Sequence, residues 1–233
     1  MGGGVSPRHF NLSGDGMSFE IKYAPHQLSD VVISDIYVKT VLNSYIKRDI
    51  KRPLLMYGGY GVGKTTIANL LPDAIEGKKA VVEKIKAVEF KTAADVAKHF
   101  NKEWLYSHPL FSFNDGQKRE YMICNELNIT DNAAKVLIDL IDDIQEHVQL
   151  IFTTNHLHTI YGALRSRCTE LEIRPALAVD WLPRAQFIMK SENYKVNDQI
   201  LLKLIEDQLI VSPDHRKLLQ LLDDEVIGKL NWV

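Results

Sequence analysis

Cysteine is scarce in this chain: Cys124 and Cys168 are the only two in 233 residues. They stand far apart, with no metal-ligand spacing and no disulfide framework, so a reducing compartment is expected. Long apolar runs are missing too. No stretch approaches the roughly 20 residues of a membrane-spanning helix, and no secretory signal is visible. Membrane partners and export are therefore not expected. Nor does one sign of charge dominate, since 28 Lys and Arg stand against 30 Asp and Glu, a formal net charge of −2. There is no global basic field to attract nucleic acid, although one basic face within an assembly remains compatible with that balance. Hydrophobic residues at 45 % and charged residues at 25 % fit an ordinary globular protein. The length allows one medium domain plus a small one.

Glycine is concentrated where it matters. Residues 1–16 are rich in glycine and polar groups and read as a disordered arm, with Met17 a possible natural start. From Gly58 to Thr65 the chain matches the phosphate-binding pattern G-x-x-x-x-G-K-[ST], through Gly59, Tyr60, Gly61, Val62, Gly63 and Lys64, with Thr66 following. Leu54-Leu55-Met56-Tyr57 before it reads as a buried strand. Ile67-Ala68-Asn69-Leu70-Leu71 after it reads as a helix. That strand–loop–helix context is what the motif requires. The glycines let backbone N–H groups turn toward phosphate oxygens, and the helix N-terminus favours the anion. Lys64 is expected on the β- and γ-phosphates and Thr65 on Mg²⁺. The competing reading is a plain glycine-rich turn.

Around this motif, strand and helix signals alternate. Ser18–Ser34 reads as a compact lead-in, and Asp35–Arg48 has helical spacing of Val38, Val41, Leu42 and Ile46. A strand is expected within Ala80–Phe90, ending near Phe90. A helix is expected over Ala93–Trp104, a turn at Asn114–Gln117 and a strand over Glu120–Cys124. Asp131–Gln145 places Ala134, Leu137, Ile138 and Ile141 on one helix face, and Val148–Thr153 is another buried strand. This alternation predicts a parallel α/β sheet. Past Pro175 the strand signals stop. Asp180 is expected to cap a helix through Met189, with Pro183 in its first turn. Asn197 is expected to cap Asp198–Gln208, and Pro213 to open a third helix. The predicted domains are 17–175 and a small helical one at 176–233. No internal repeat is present.

Three further stretches carry chemistry. Tyr121-Met122-Ile123-Cys124-Asn125-Glu126 looks like a Walker B segment, an apolar strand delivering polar residues beside the γ-phosphate. Asn125 stands where an aspartate would hold the water shell of Mg²⁺; it can accept a hydrogen bond but lacks the charge. Glu126 is placed to polarise attacking water as a general base. The alternative is a strand end entering a turn. Thr153-Thr154-Asn155 ends the next strand with an amide suited to orienting that water, although asparagine there is more often a turn former. Leu164-Arg165-Ser166-Arg167-Cys168 offers arginines suited to transferring phosphate, or in isolation to a surface ion pair.

Together these stretches resemble the AAA+ ATPases, and within them the clamp-loader small subunits of the replication factor C kind, phage versions included. Lys22-Tyr23-Ala24-Pro25 with Asp30-Val31-Val32 is similar to the family's Lys-Tyr-Arg-Pro lead-in, which packs around adenine; Tyr23, Pro25 and Val32 are thereby implied as adenine contacts. The phosphate-binding loop follows at the expected distance. Ser166-Arg167-Cys168 matches the family's Ser-Arg-Cys motif, and Pro213-Asp214-His215-Arg216 resembles the opening of the sensor 2 helix. The resemblance, from about Phe19 to Leu222, implies an AAA+ parallel sheet flanked by helices and followed by a helical lid. It implies ATP with Mg²⁺ at Thr65 and Asn125, and Asn155 as sensor 1. Arg167 is implied as a finger acting in trans and Arg216 as a γ-phosphate contact in cis. It implies a clamp-loader subunit of DNA replication, oligomeric with itself or with other subunits, acting on a sliding clamp and primer-template DNA. The implied location is the cytoplasm, the host's if the chain is phage-encoded.

The departures are specific. The arginine of the lead-in is Ala24, and the Walker B aspartate is Asn125. Lys135, Asp139 and Leu140 stand near the places where the family carries a glutamine and paired arginines. The sequence stops at Val233, which leaves no room for the family's collar domain; the expectations are that it is absent, that another polypeptide supplies it, or that the sequence is truncated. Two other readings stay open: a subunit that binds ATP for assembly and hydrolyses it slowly or not at all, and another AAA+ DNA machine such as a helicase loader or branch-migration motor. A P-loop kinase for a small metabolite fits least.

Overall fold

The computed structural model describes residues 17–100, 120–144 and 148–230. The arm at 1–16, the turn expected at Asn114–Gln117 and the far end of the helix expected to reach Trp104 lie outside them. In chain order the helices are α1 (Phe19–Lys22), α2 (Ile36–Ile46), α3 (Lys64–Glu76), α4 (Ala93–His99), α5 (Asp131–Ile144), α6 (Gly162–Arg167), α7 (Ala178–Ser191), α8 (Asp198–Val211) and α9 (His215–Leu230). The strands are β1 (Leu54–Tyr57), β2 (Val82–Lys86), β3 (Glu120–Asn125), β4 (Val148–Thr154) and β5 (Thr169–Glu172). Two compact units result: Pro25–Ala176 is one, and the described residues up to Ala24 and from Leu177 onward form the other.

The strands pair in the order β2-β3-β4-β1-β5, and every pairing is parallel. Parallel neighbours need crossovers, and helices supply them. Residues alternate between the two faces of the sheet, as pleating requires. Leu54, Met56, Tyr121, Ile123 and Ile151 share one core with Val38 and Leu42 of α2 and Ile67 and Leu71 of α3. Leu55, Met122, Cys124, Leu150 and Phe152 share the opposite core with Val96 of α4 and Leu137 and Ile141 of α5. Both faces are covered, which is why these strands read as near-continuous apolar runs. Cys124 and Cys168 are buried in the second core, and burial pushes each thiol up to about 12, so neither is a thiolate near neutral pH.

Several boundaries differ from expectation, each for a local reason. β2 stops at Lys86, and Ala87–Phe90 turns as a 3-10 helix that buries Phe90. α3 continues beyond Leu71, through Pro72, to Glu76, and ends at Gly77 in the left-handed conformation with φ 68°. β5 and α6 carried no periodic signal: β5 is four residues long with only Leu171 buried, an edge strand paired on one side to β1.

In the second unit, α7 begins at Ala178, before Asp180, which falls inside its first turn while Leu177 takes the cap position without a side-chain bond. Pro183 is therefore interior, at the sixth helical position, not in the first turn. Asn197 caps α8 as expected, its side chain accepting from Gln199 N–H at 2.8 Å. α9 opens at His215, not at Pro213, with Asp214 Oδ1 accepting from Arg216 N–H at 2.9 Å. An aspartate side chain satisfies a helix-start donor, which proline cannot do. The lead-in helix α1 belongs to this unit. Phe19 is fully buried and its N–H donates to Asp223 Oδ2 at 3.2 Å. Lys22 pairs with Glu192 at 2.9 Å. Among the described residues no helix is long and apolar enough to cross a membrane.

Candidate nucleotide site

The carboxyl ends of parallel strands are where α/β sheets place their ligands. Three of the predicted stretches arrive there. The loop 58–63 leaves β1, Glu126 follows β3, and Asn155 follows β4, with β4 paired to both β1 and β3.

The loop is shaped by its glycines at two points. Gly58 has φ 143°, and a Cβ there would lie 2.2 Å from the carbonyl oxygen of Ile173, so the loop passes against the backbone leaving β5. Gly63 has φ 97° and takes the cap position of α3. The first backbone bond of that helix runs from Ile67 N–H to Gly63 C=O at 2.9 Å. The N–H groups of Lys64, Thr65 and Thr66 therefore stand at the helix start without intrahelical acceptors. Thr65 is exposed and Thr66 half-buried.

Lys64 is buried, 7 % exposed. Its ammonium donates to the carbonyl oxygens of Gly58, at 3.0 Å, and Gly59. Burial lowers its pKa, while the field of Glu126 works in the opposite sense. The pairing of β4 with both β1 and β3 brings the loop and the end of β3 to the same edge of the sheet. Glu126 itself is exposed and has φ 58°, a left-handed conformation uncommon for a residue with a side chain.

Thr153, near the end of β4, ties the end of β3 down. Its hydroxyl donates to Asn125 Oδ1 at 3.2 Å and accepts from Glu126 N–H at 3.1 Å. Its carbonyl accepts from Leu127 N–H at 2.7 Å. Asn155 is half-buried one residue beyond β4. Its neighbour His156 faces Tyr60 of the loop 58–63, Nε2 to hydroxyl 3.4 Å. Sequence reasoning names Thr153 and Tyr60 within their stretches without giving either a role, and His156 is not singled out. The only available signal was the polar run 153–155 at the end of an apolar strand.

The two arginines of α6 differ in how they are held. Arg165 makes a two-point pair with Glu170, at 2.9 and 3.0 Å, which raises its pKa further. Arg167 is held loosely: Nε is 3.9 Å from Asp142 Oδ2 and Nη1 is 3.5 Å from Ala163 O. Arg52, also unremarked in the sequence, donates to the backbone carbonyls of Ser166 and Arg167 at the end of α6. Lys135, near the family's relay position, lies 6.0 Å from the Tyr161 ring centroid.

The remaining predicted residues are divided between the units. Pro25 and Val32 belong to the sheet unit, where both are half-buried; the adjacent Val31 comes within 3.9 Å of where a Cβ on Gly63 would sit. Tyr23 and Arg216 belong to the helical unit. There Tyr23 is packed edge-on to Phe19 at 5.1 Å and donates its hydroxyl to Glu192; burial first, and Glu192 second, push its pKa up to about 12. Arg216 is paired with Asp214 at 3.1 and 3.2 Å.

Comparison with solved structures now identifies the architecture. The RuvB Holliday junction branch migration motor of Thermotoga maritima superposes with a TM-score of 0.57 at 18 % identity, over 88 % of this chain and 72 % of that one. The fold is the AAA+ fold. A DNA polymerase III gamma subunit-related protein of Thermotoga maritima shares it, with a TM-score of 0.54 at 15 % identity over 80 % of this chain and 57 % of that one. No family model matches the sequence. Curated relatives with sequence similarity include mouse replication factor C subunit 5, 24 % identical over 205 residues, 86 % of this chain and 58 % of the relative. Rice replication factor C subunit 3 is 25 % identical over 223 residues, 94 % of this chain and 60 % of the relative. DNA polymerase III subunit gamma of Buchnera aphidicola is 23 % identical over 169 residues, 66 % and 46 % respectively. The chain spans between half and three-fifths of the length of the first three curated relatives it matches. Within this fold the loop 58–63, Glu126 and Asn155 occupy one end of the sheet.

Proposed function

We propose that this chain is the ATP-binding part of a clamp-loader subunit, one that uses nucleotide held at subunit interfaces to place a sliding clamp on primed DNA. The observation that carries the nucleotide reading is the buried Lys64 ammonium at a helix start, held by loop carbonyls and facing the field of Glu126. Carbonyl oxygens compensate a buried cation only in part, and a polyphosphate supplies the missing anion. The N–H groups at the start of α3 add donors for the same oxygens. The replication part of the reading is supported by curated relatives named replication factor C subunits and DNA polymerase III gamma.

In this reading Lys64 holds the β- and γ-phosphates and Glu126 takes the proton of the attacking water. Asn155 orients that water. Mg²⁺ bound beside Thr65 and Asn125 would neutralise developing charge on the phosphate oxygens. Arg167 is long, always charged and loosely held, so it can reach a neighbouring subunit's nucleotide, whereas Arg165 is committed to Glu170. Tyr23, Pro25 and Val32 contribute to adenine binding, and Arg216 contacts the γ-phosphate of its own subunit. Other subunits, the clamp and primer-template DNA are the partners.

Asn125 favours a second reading, that of a subunit which binds ATP for assembly and turns it over slowly. An amide whose oxygen already accepts from Thr153 offers Mg²⁺ waters less than a carboxylate does. The experiment is ATP turnover by the complex purified from its native source, with and without primer-template DNA, alongside Asn125→Asp. Stimulation by primed junctions supports a working loader. Tight ATP binding with no turnover, restored by Asn125→Asp, supports the assembly subunit. Absence of ATP binding rejects both.

A further inference from the structure

We propose that Thr153 is a positioning residue of the nucleotide site, acting on the rate of ATP hydrolysis through the conformation of Asn125 and Glu126. This rests on the reading of Glu126 as the group that activates water. Thr153 is almost fully buried, 1 % exposed, and lies in β4, the strand between β3 and β1. A threonine buried in an apolar sheet is costly unless its hydroxyl is satisfied. Here the hydroxyl has both a donor and an acceptor role. It gives its proton to Asn125 Oδ1 at 3.2 Å and receives the Glu126 N–H at 3.1 Å.

The two bonds have different consequences. The first fixes the side-chain torsion of Asn125. It occupies the amide oxygen and leaves the NH₂ group as the donor that Asn125 offers to its surroundings. The second stabilises a backbone conformation that a side-chain-bearing residue seldom adopts, φ 58° at Glu126. At a strand end the next backbone N–H would otherwise seek water or a β-ladder acceptor. The Leu127 N–H bond to Thr153 C=O closes the turn from its other side, at 2.7 Å. Thr153 thus holds three consecutive residues, 125 to 127, against β4. The side chain of Glu126 leaves that turn from a backbone held at φ 58°. Without the hydroxyl, Glu126 is expected to relax toward ordinary backbone angles, and its carboxylate loses its fixed aim. A catalytic group displaced by about 1 Å loses on the order of a hundredfold in rate while substrate affinity, set elsewhere, is unchanged.

The test uses the full chain in its purified complex, with Thr153→Val, which keeps the shape and removes the hydroxyl, and Thr153→Ser, which restores it. Thermal melting verifies that each variant folds. ATP KM and kcat are measured for both, and again for Thr153→Val on a Glu126→Gln background. The expected result is a kcat reduced roughly tenfold to a hundredfold in Thr153→Val with KM unchanged. Recovery in Thr153→Ser is also expected, as is no further loss when Glu126 is already Gln, because residues acting as a unit are not additive. A wild-type kcat in Thr153→Val, a failure of serine to rescue, or a full independent loss on the Glu126→Gln background overturns the proposal. Hydrogen exchange at the Glu126 amide separates this outcome from failure of the hydrolysis reading. Should the wild-type complex show no turnover, faster exchange in Thr153→Val, restored to wild-type protection by Thr153→Ser, sustains the positioning role. Unchanged exchange rejects it.

Discussion

A methyl group on Gly58 would put its carbon 2.2 Å from the carbonyl oxygen of Ile173, a backbone atom that cannot swing aside. The φ of 143° at Gly58 adds strain for any side chain. Gly58→Ala is therefore expected to push the loop off β5 and weaken ATP binding at least tenfold in a fluorescence titration, with a lowered melting temperature; wild-type affinity would contradict this. His215 makes a second prediction at this scale. Burial against Trp181, whose ring centroid is 5.0 Å away, lowers its pKa from 6.5 to about 4, with Asp214 opposing the shift. The unfolded chain then binds a proton at pH 6.5 that the folded chain refuses until about pH 4. Stability from this group is thus present above pH 6.5 and falls as pH drops toward 4. Denaturation between pH 7 and 5 should show a steeper loss for the wild type than for His215→Phe. Equal slopes would remove His215 as the cause.

Elements owe their ends to single side chains here. Asn197 caps α8 with one bond to Gln199 N–H, and truncating such a cap costs about 1 kcal/mol. Asn197→Ala should lower the denaturation midpoint accordingly, while Asn197→Asp, which keeps the acceptor, should not. The short helix α6 shows the same economy at its other end. Arg52 covers the last carbonyls of α6, and its own carbonyl accepts from Tyr45 hydroxyl and Gln149 Nε2, both at 3.0 Å. Both partners are buried, at 1 % and 0 % exposure, so the anchor is firm although the guanidinium is exposed. Arg167 departs from the end of α6, so whatever it reaches is reached from a fixed base.

At the scale of the whole molecule, a finger acting in trans has a distinctive signature. In the proposed reading, subunits carrying Arg167→Ala keep an intact loop, and subunits carrying Lys64→Ala keep an intact finger. Mixed in one assembly, the two should recover part of the ATPase activity that each lacks alone. Mixtures as inactive as the separate variants would place Arg167 outside any shared site. The two compact units bear on the adenine reading as well. Tyr23 sits in the helical unit, with its hydroxyl committed to Glu192, while Pro25 and Val32 sit in the sheet unit. Spacing along a chain records order, not which unit each residue joins. Phe19, buried at 0 % exposure, draws α1 and Tyr23 into the helical unit.

What could be read from residues alone was whatever rests on local pattern. The loop 58–65 is legible as a strand-to-helix turn because its tight backbone demands glycine, at φ 143° for Gly58 and 97° for Gly63. β1, β3, β4 and α5 are legible because both sheet faces and one helix face must be apolar. Asn125 and Glu126 are legible as the polar end of such a strand. Strand order, the edge strand β5 and the Thr153 bridge were decided only in three dimensions. A four-residue edge strand with one buried side chain has too little periodicity to be seen. A hydroxyl that joins residues 28 positions apart has no trace in spacing. Local patterns follow from backbone geometry and burial, which each short segment satisfies by itself. Pairings between distant segments depend on which surfaces remain to be covered once those segments have formed.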